Sequence, residues 1–286
     1  MAKGRELKGR IKTTENTRKI TRTMEMVATA KMKRALDRVS SARPYANALS
    51  GVLSSLYSPD LAERFPLLRQ PEREKKAALI LMTADRGLCG GFNSNLIREA
   101  RHLLGRLRER GVDVQLHVEG RRGVGYFRYV GESLASVTTG ISEKPTAEDA
   151  RSIIDAVMGQ FVAGELDAVY VVYAQFKSAL ATPPTTSRIL PVTPPERKGA
   201  APDYILAPSA EAILSDLLPL YVRNQVYRAL VETAAGEQGA RRTAMKSATD
   251  NAGEMLNVLR RTYNRSRQAA ITQEIAEIVG GAAALE

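Results

Sequence analysis

Apolar positions recur along the chain in two periods, and the change between them divides it into three parts. Residues 2–57 contain one proline and few glycines. From Ala28 onward, Ala28, Met32, Ala35, Val39, Ala42, Ala46, Leu49, Leu53 and Leu56 fall at alternating steps of four and three. That is a heptad seam held over about four heptads, and it predicts one long helix paired as a coiled coil. The first half of the seam is mostly alanine, so a partner helix can approach closely there. A proline in a helix interior costs about 3 kcal/mol, so Pro44 predicts a kink or a helix boundary. Toward the N-terminus the same frame turns polar, through Glu25, Thr21, Arg18 and Thr14. Ile20, Met24 and Val27 offer a shifted apolar face instead, which predicts that the helix leaves its first partner and meets another.

The period changes after a turn-rich stretch at 58–71. Ala77 to Met82 is a continuous apolar run, the pattern of a strand buried on both faces. Asp85-Arg86-Gly87-Leu88-Cys89-Gly90-Gly91 turns the chain into a helix over 95–110, with Gly111 beyond its end. Val112 to Val118 alternates as a second strand. A helix over 146–162 follows, with Glu148 and Asp149 in its first turn and Gly164 closing it. Ala168 to Tyr173 and Ile189 to Val192 read as two further strands. Strand and helix in alternation imply an α/β unit with a largely parallel sheet, Rossmann-like in class.

A second long helix starts after Pro208, with Ser209 as N-cap and Glu211 in its first turn, and Pro219 should bend it. Met245, Ala248, Ala252, Met255 and Leu259 repeat the four-three spacing. Two long helices flanking a compact domain pair most simply as antiparallel partners. The expected architecture is an α/β domain over 75–202 with a long antiparallel coiled coil made from 1–58 and 208–286.

Charge sharpens this picture. The formal balance is +11, and residues 1–43 alone hold 13 basic and 4 acidic side chains, so a basic arm joins a nearly neutral remainder. Nucleic acid, an anionic membrane surface and an acidic protein surface all fit such an arm. The first aromatic residue is Tyr45, which disfavours base stacking. One cysteine excludes an internal disulfide, and two histidines, His102 and His117, are too isolated for a histidine metal site. No run of about 18 apolar residues is present. The basic start lacks an apolar core for a secretory signal, and Glu6, Glu15 and Glu25 disfavour a transit peptide, so cytoplasmic synthesis without cleavage is expected.

Candidate chemistry is sparse. The glycine-rich loop at 87–91 sits where phosphate loops occur, but it matches neither G-x-G-x-x-G nor the Walker pattern, so a structural turn is expected. Cys89 has no histidine near it in sequence and reads as a small buried thiol. Glu274 and Glu277, three apart on the last helix, lack a histidine partner and read as solvated or partner-facing acids. No constellation meets the requirements of a catalytic site, and no bound cofactor is expected.

Three segments carry a family resemblance. Ile20-Thr21-Arg22-Thr23-Met24-Glu25-Met26-Val27-Ala28 with Ala30-Lys31-Met32, the Asp85–Gly91 loop, and Ala244-Met245-Lys246 with Ala248-Thr249-Asp250-Asn251-Ala252 and Ile271-Thr272-Gln273-Glu274 resemble the F-type ATP synthase gamma subunit family over the whole chain. The resemblance implies a noncatalytic central shaft turning inside a hexamer of alpha and beta subunits, where ATP is made or hydrolysed. Its foot would bind the epsilon subunit and the membrane-embedded c-ring, coupling proton flow to rotation. It further implies catalytic-ring contacts at Met24, Lys31, Arg34, Arg241, Arg267, Gln268, Thr272 and Glu274, and a c-ring contact at Tyr204. The C-terminal helix would continue alone beyond the seam as a tip. A bacterial source, a place on the cytoplasmic face of the inner membrane through the complex only, and no nucleic-acid partner follow from the same likeness. The competing readings are a basic coiled-coil nucleic-acid or scaffold protein, and a nucleotide-binding enzyme.

Overall fold

The computed structural model describes residues 2–57, 64–178, 181–193 and 209–283. Helix α1 (Ala2–Leu56) and helix α5 (Ala210–Ala283) flank a five-stranded sheet. Between them lie β1 (Lys76–Met82), α2 (Phe92–Glu109), β2 (Asp113–Glu119), α3 (Arg121–Val130), β3 (Ser136–Thr138), α4 (Ala147–Val162), β4 (Ala168–Ala174) and β5 (Pro184–Leu190). The strand order is β3-β2-β1-β4-β5. All neighbours run parallel except β5, which is antiparallel to β4. By compactness the chain forms two units, Thr29–Arg241 and Met1–Ala28 with Arg242–Glu286. The cut falls inside both long helices rather than at their ends.

In the larger unit, β1 is buried on both faces, as its apolar run requires. Ala77, Leu79 and Leu81 pack with Phe92, Leu96, Ala100, Leu103 and Leu107 of α2 and with Val124 and Phe127 of α3. Ala78, Ile80 and Met82 face the other way, toward Ile154, Val157 and Phe161 of α4, Leu53 and Leu56 of α1, and Leu214, Leu218, Val222 and Val226 of α5. The alanine seam closes α1 onto α5 through Ala35 and Val39 against Val231 and Ala235. Helix α4 opens on a capping box: the Asp149 amide donates to Thr146 Oγ1 at 3.2 Å and the Thr146 amide to Asp149 Oδ2 at 2.7 Å. The Ala212 amide donates to the Ser209 hydroxyl at 3.2 Å, so Ser209 caps α5 as expected.

Several expectations are corrected. Of the kink or boundary expected at Pro44, the boundary does not occur, since α1 runs on through Pro44 as α5 does through Pro219. Strand β2 does not alternate, because its last four residues are all buried between the α2–α3 layer and the sheet's other face. The fourth strand of the sequence reading begins earlier, at Pro184, where pairing with Ala174 starts and a strand-initial proline is tolerated. Val192 instead donates its amide to Leu67. Helix α3 and β3 were not expected, since Gly120, Gly123 and Gly125 obscure the helical pattern. Gly120 stands at φ +90, and any Cβ there would collide with the Thr83 carbonyl, so glycine is required.

In the smaller unit the two helices pair antiparallel. Thr21 and Thr249 hydroxyls lie 2.8 Å apart, Arg260 reaches Glu15 at 3.7 Å, and Thr14 Oγ1 lies 3.9 Å from Met255 Sδ. The frame set by Ala28 therefore continues through Thr21, and the shifted face does not take over: Ile20 is 61% and Val27 47% exposed. A polar seam stays buried because the two threonine hydroxyls meet each other and also lie within bonding distance of the Arg18 and Met245 carbonyls of their own helices. On α5 the seam is Met245, Thr249, Ala252, Leu256 and Leu259. Met255, expected inside, is 54% exposed, one position out of phase with Leu256.

Candidate functional site

The glycine-rich loop is built as a structural turn. Asp85 Oδ2 accepts from the Gly140 amide at 2.9 Å and from the Ser142 hydroxyl at 3.0 Å, and Asp85 Oδ1 from the Arg121 amide at 3.1 Å. One carboxylate thus ties together the ends of three loops. The loop offers its Gly87 carbonyl to Arg241, whose Nη2 lies 3.2 Å away, and a phosphate cradle would need amide donors at that place. Cys89 is buried, 3.2 Å from Asn93 Nδ2, and burial pushes its thiol pKa up. That makes it a packing residue rather than a nucleophile. His117 is likewise buried and held by Ser136 at 2.7 Å, with its pKa lowered by burial.

Helix α5 crosses the carboxyl end of the sheet at the same place. The Phe176 amide donates to Glu232 Oε2 at 3.2 Å, and the Ala174 amide to Thr233 Oγ1 at 3.2 Å. Gly236 lets the helix close in: a Cβ there would stand 3.3 Å from Ala174, Phe92 and Thr182 side chains. Lower down, Arg223 clasps Asp155 of α4 through bonds of 2.7 and 2.9 Å. Sequence reasoning missed this junction. Its signal was the small-residue run Thr233-Ala234-Ala235-Gly236, which allows close backbone approach. Two acids lie buried beside it. Glu119 at the end of β2 is 2% exposed and Glu237 is 3% exposed, and each has one carboxylate oxygen without a partner among the described residues. Burial raises the pKa of both, with Asp85 reinforcing the effect and Arg241 opposing it at Glu237.

The residues expected to contact a catalytic ring divide into two groups. Met24 is half-buried, and Arg34, Arg267, Gln268, Thr272 and Glu274 are exposed. Lys31 and Arg241 are instead taken up within the chain. Lys31 pairs with Glu143, and this bond holds the Glu143 carboxyl below its ordinary pKa. Arg241 is 8% exposed and bonds Glu237 at 2.6 Å. Tyr204 lies outside the described residues. Near the C-terminal end of α5, Ile271, Ile275, Ile278 and Val279 are all exposed.

The family model described as ATP synthase matches residues 3–285. The ATP synthase gamma chain of Gemmatimonas aurantiaca is 65% identical over the full length of both chains. The chain belongs to the ATP synthase gamma chain family. Another gamma chain, from Leptospira biflexa, is 42% identical, again over both full lengths. The central stalk and c-ring structure of the Tetrahymena thermophila mitochondrial ATP synthase contains a chain with TM-score 0.63 at 27% identity, covering 80% of this chain and 99% of that one. A chain of the Euglena gracilis mitochondrial ATP synthase matches with TM-score 0.69 at 17% identity, over 99% of this chain and 95% of that one, which supports the fold.

As a gamma chain this is a noncatalytic subunit, the central shaft of the synthase. Its chemistry is therefore mechanical, and the relevant features are paired helices, their junction with the body, and the surfaces left open. Among the described residues no helix is long and apolar enough to cross a membrane, and no group of three or more metal-ligating side chains occurs.

Proposed function

We propose that this gamma chain carries torque between a c-ring and an alpha/beta hexamer, so that proton flow drives ATP synthesis and ATP hydrolysis drives the reverse rotation. The full-length likeness to a curated gamma chain at 65% identity carries this reading. Paired helices with an alanine-rich seam support it, because close packing gives a thin, stiff rod. Met24, Arg34, Arg267, Gln268, Thr272 and Glu274 are the side chains we assign to the catalytic ring. Lys31 and Arg241 act from within the body, fixing α1 to it through Glu143 and α5 through the Gly87 carbonyl. The epsilon subunit and the c-ring are the partners of the foot, with Tyr204 as the c-ring contact. We place the complex at the cytoplasmic face of a bacterial inner membrane, with this chain peripheral to the bilayer and holding no cofactor.

Reconstitution tests the reading. Mixing the chain with cognate alpha and beta subunits should give a stoichiometric complex and raise ATPase activity, and a bead attached to the body should rotate on addition of ATP. A chain that forms no complex and leaves the ATPase of the hexamer unchanged would refute it.

A further inference from the structure

Helix α5 crosses the carboxyl end of the sheet over a buried acid that no base balances. In register, Glu119 of β2 stands beside Met82 of β1 and Thr138 of β3. Paired residues in a parallel sheet point to the same side. Met82 belongs to the core layer formed with Ala150 and Ile154 of α4 and with Val226 and Ala229 of α5. Glu119 therefore lies on the face that α4 and α5 cover. The crossing runs from β4 to the loop after β1. At its first end the Ala174 and Phe176 amides donate to Thr233 and Glu232, and at its last Arg241 donates to the Gly87 carbonyl. The charged groups acting on Glu119 are Asp85 from that loop, Glu237 from α5 and Asp149 from α4, all acids, and the Thr83 amide alone opposes them in part. The bases of this end are engaged: Arg241 with Glu237 and Gly87, Arg121 beside Asp85 at 4.0 Å, and Lys31 with Glu143. His117, two residues back on the same face, is held neutral by burial against Ser136 and brings no compensating charge.

Such a place accepts a carboxylic acid and rejects a carboxylate. Glu119 and Glu237 are 2% and 3% exposed, and each has a carboxylate oxygen without a partner among the described residues. An ionised Glu119 would be a second buried anion beside Glu237, and Arg241 already serves the first. Parting α5 from the sheet end would hydrate it while leaving the ladder of the sheet intact. The bonds that hold the crossing join side chains to single backbone groups, and local opening of this kind costs less than global unfolding. The closed junction keeps a proton on Glu119, and the open one, with ordinary glutamate affinity, releases it. Opening is therefore favoured as pH rises above about 4.3, by up to about tenfold for each unit, until the folded affinity is reached.

We propose that Glu119 is the proton-binding element of a latch between α5 and the carboxyl end of the sheet, closed while Glu119 carries its proton and opened when it is ionised. The latch lies within the body and does not depend on the rotor reading, which reconstitution with alpha and beta subunits tests. Hydrogen exchange of the full chain between pH 5 and pH 8, corrected for the intrinsic pH dependence of amide exchange, reads it at the Ala174 and Phe176 amides. Amides of β1, which open only with the whole sheet, serve as the reference. Ala174 and Phe176 should exchange at least about tenfold faster than β1, and their opening should increase at least about tenfold across this range. In Glu119→Gln the increase should vanish. A thermal midpoint near that of the parent shows that the variant is folded; if it is not, Glu119→Met, which places an unbranched apolar side chain beside Met82, takes its place. Opening in the parent that does not change with pH, exchange at Ala174 and Phe176 no faster than at β1, or a pH dependence that persists in the folded variant would overturn the proposal.

Discussion

Glu119→Gln gives a direct measure of the buried acids at the junction of body and α5. Glu119 is 2% exposed, one of its carboxylate oxygens has no partner among the described residues, and Asp85 and Glu237 add negative potential. Burial first, then those charges, raise its pKa in the folded chain, so the folded state holds a proton that the unfolded state releases. The stability this provides is complete below the ordinary glutamate pKa of about 4.3 and is lost as pH rises toward the folded value. Keeping a carboxyl protonated costs about 1.4 kcal/mol for each pH unit above its unfolded pKa, which bounds the loss at about 3.7 kcal/mol by pH 7. Glutamine mimics the neutral form at all pH values, but its amide leaves a buried donor that costs about 1–3 kcal/mol if unpaired. The expected outcome is a variant equal to or less stable than the parent near pH 5 and gaining on it by roughly 1–3 kcal/mol near pH 8. Urea denaturation of the full chain at several pH values reads this difference. A stability difference that stays constant across that range would refute the reasoning, because it would mean that Glu119 has the same proton affinity folded and unfolded.

The polar seam of the smaller unit should tolerate change: after Thr249→Val or Thr21→Val the remaining hydroxyl keeps its bond to the Arg18 or Met245 carbonyl, so either variant should cost less than about 1 kcal/mol in thermal unfolding. Gly236→Leu forces α5 away from Ala174, Phe92 and Thr182, and overpacking of this kind should cost about 1–3 kcal/mol in denaturant unfolding. Lys31→Gln removes the partly exposed pair with Glu143 and should change stability by less than about 1 kcal/mol, while lowering the protons pumped per ATP hydrolysed in the assembled complex. Pumping at the parental ratio would show that Lys31 only decorates the surface. Glu143→Gln should reproduce the effect, and the contribution of the pair in the parent should fade as pH drops through the lowered Glu143 pKa.

Local chemistry fixed much of this architecture in advance. The heptad spacing from Ala28 to Leu56, the Thr146 capping box, Ser209 at the start of α5 and the unbroken apolar run of β1 each act within a few residues, so their outcome is legible along the chain. Three glycines hid α3, because helix propensity there is overruled by packing of Val124 and Phe127 on the sheet. The phase of a seam is a property of two helices together. Thr21 and Thr249 could be recognised as interior only once the helices brought their hydroxyls together, and the same pairing put Leu256 inside and Met255 out.

Charge shows the division most plainly. The sequence alone determined that a basic arm of balance +9 precedes a neutral remainder, and motif order alone pointed to the gamma chain family. Only the tertiary structure decided which charges are available. It takes Lys31 out of the free set by bringing Glu143 to it, and Arg241 by burying it against the Gly87 carbonyl, and it buries Glu119 at the end of β2. It also gathers the arginines of α2 and α3 on one face of the sheet. Electrostatic energy depends on distance and on exclusion of water, and neither is defined until the chain has folded.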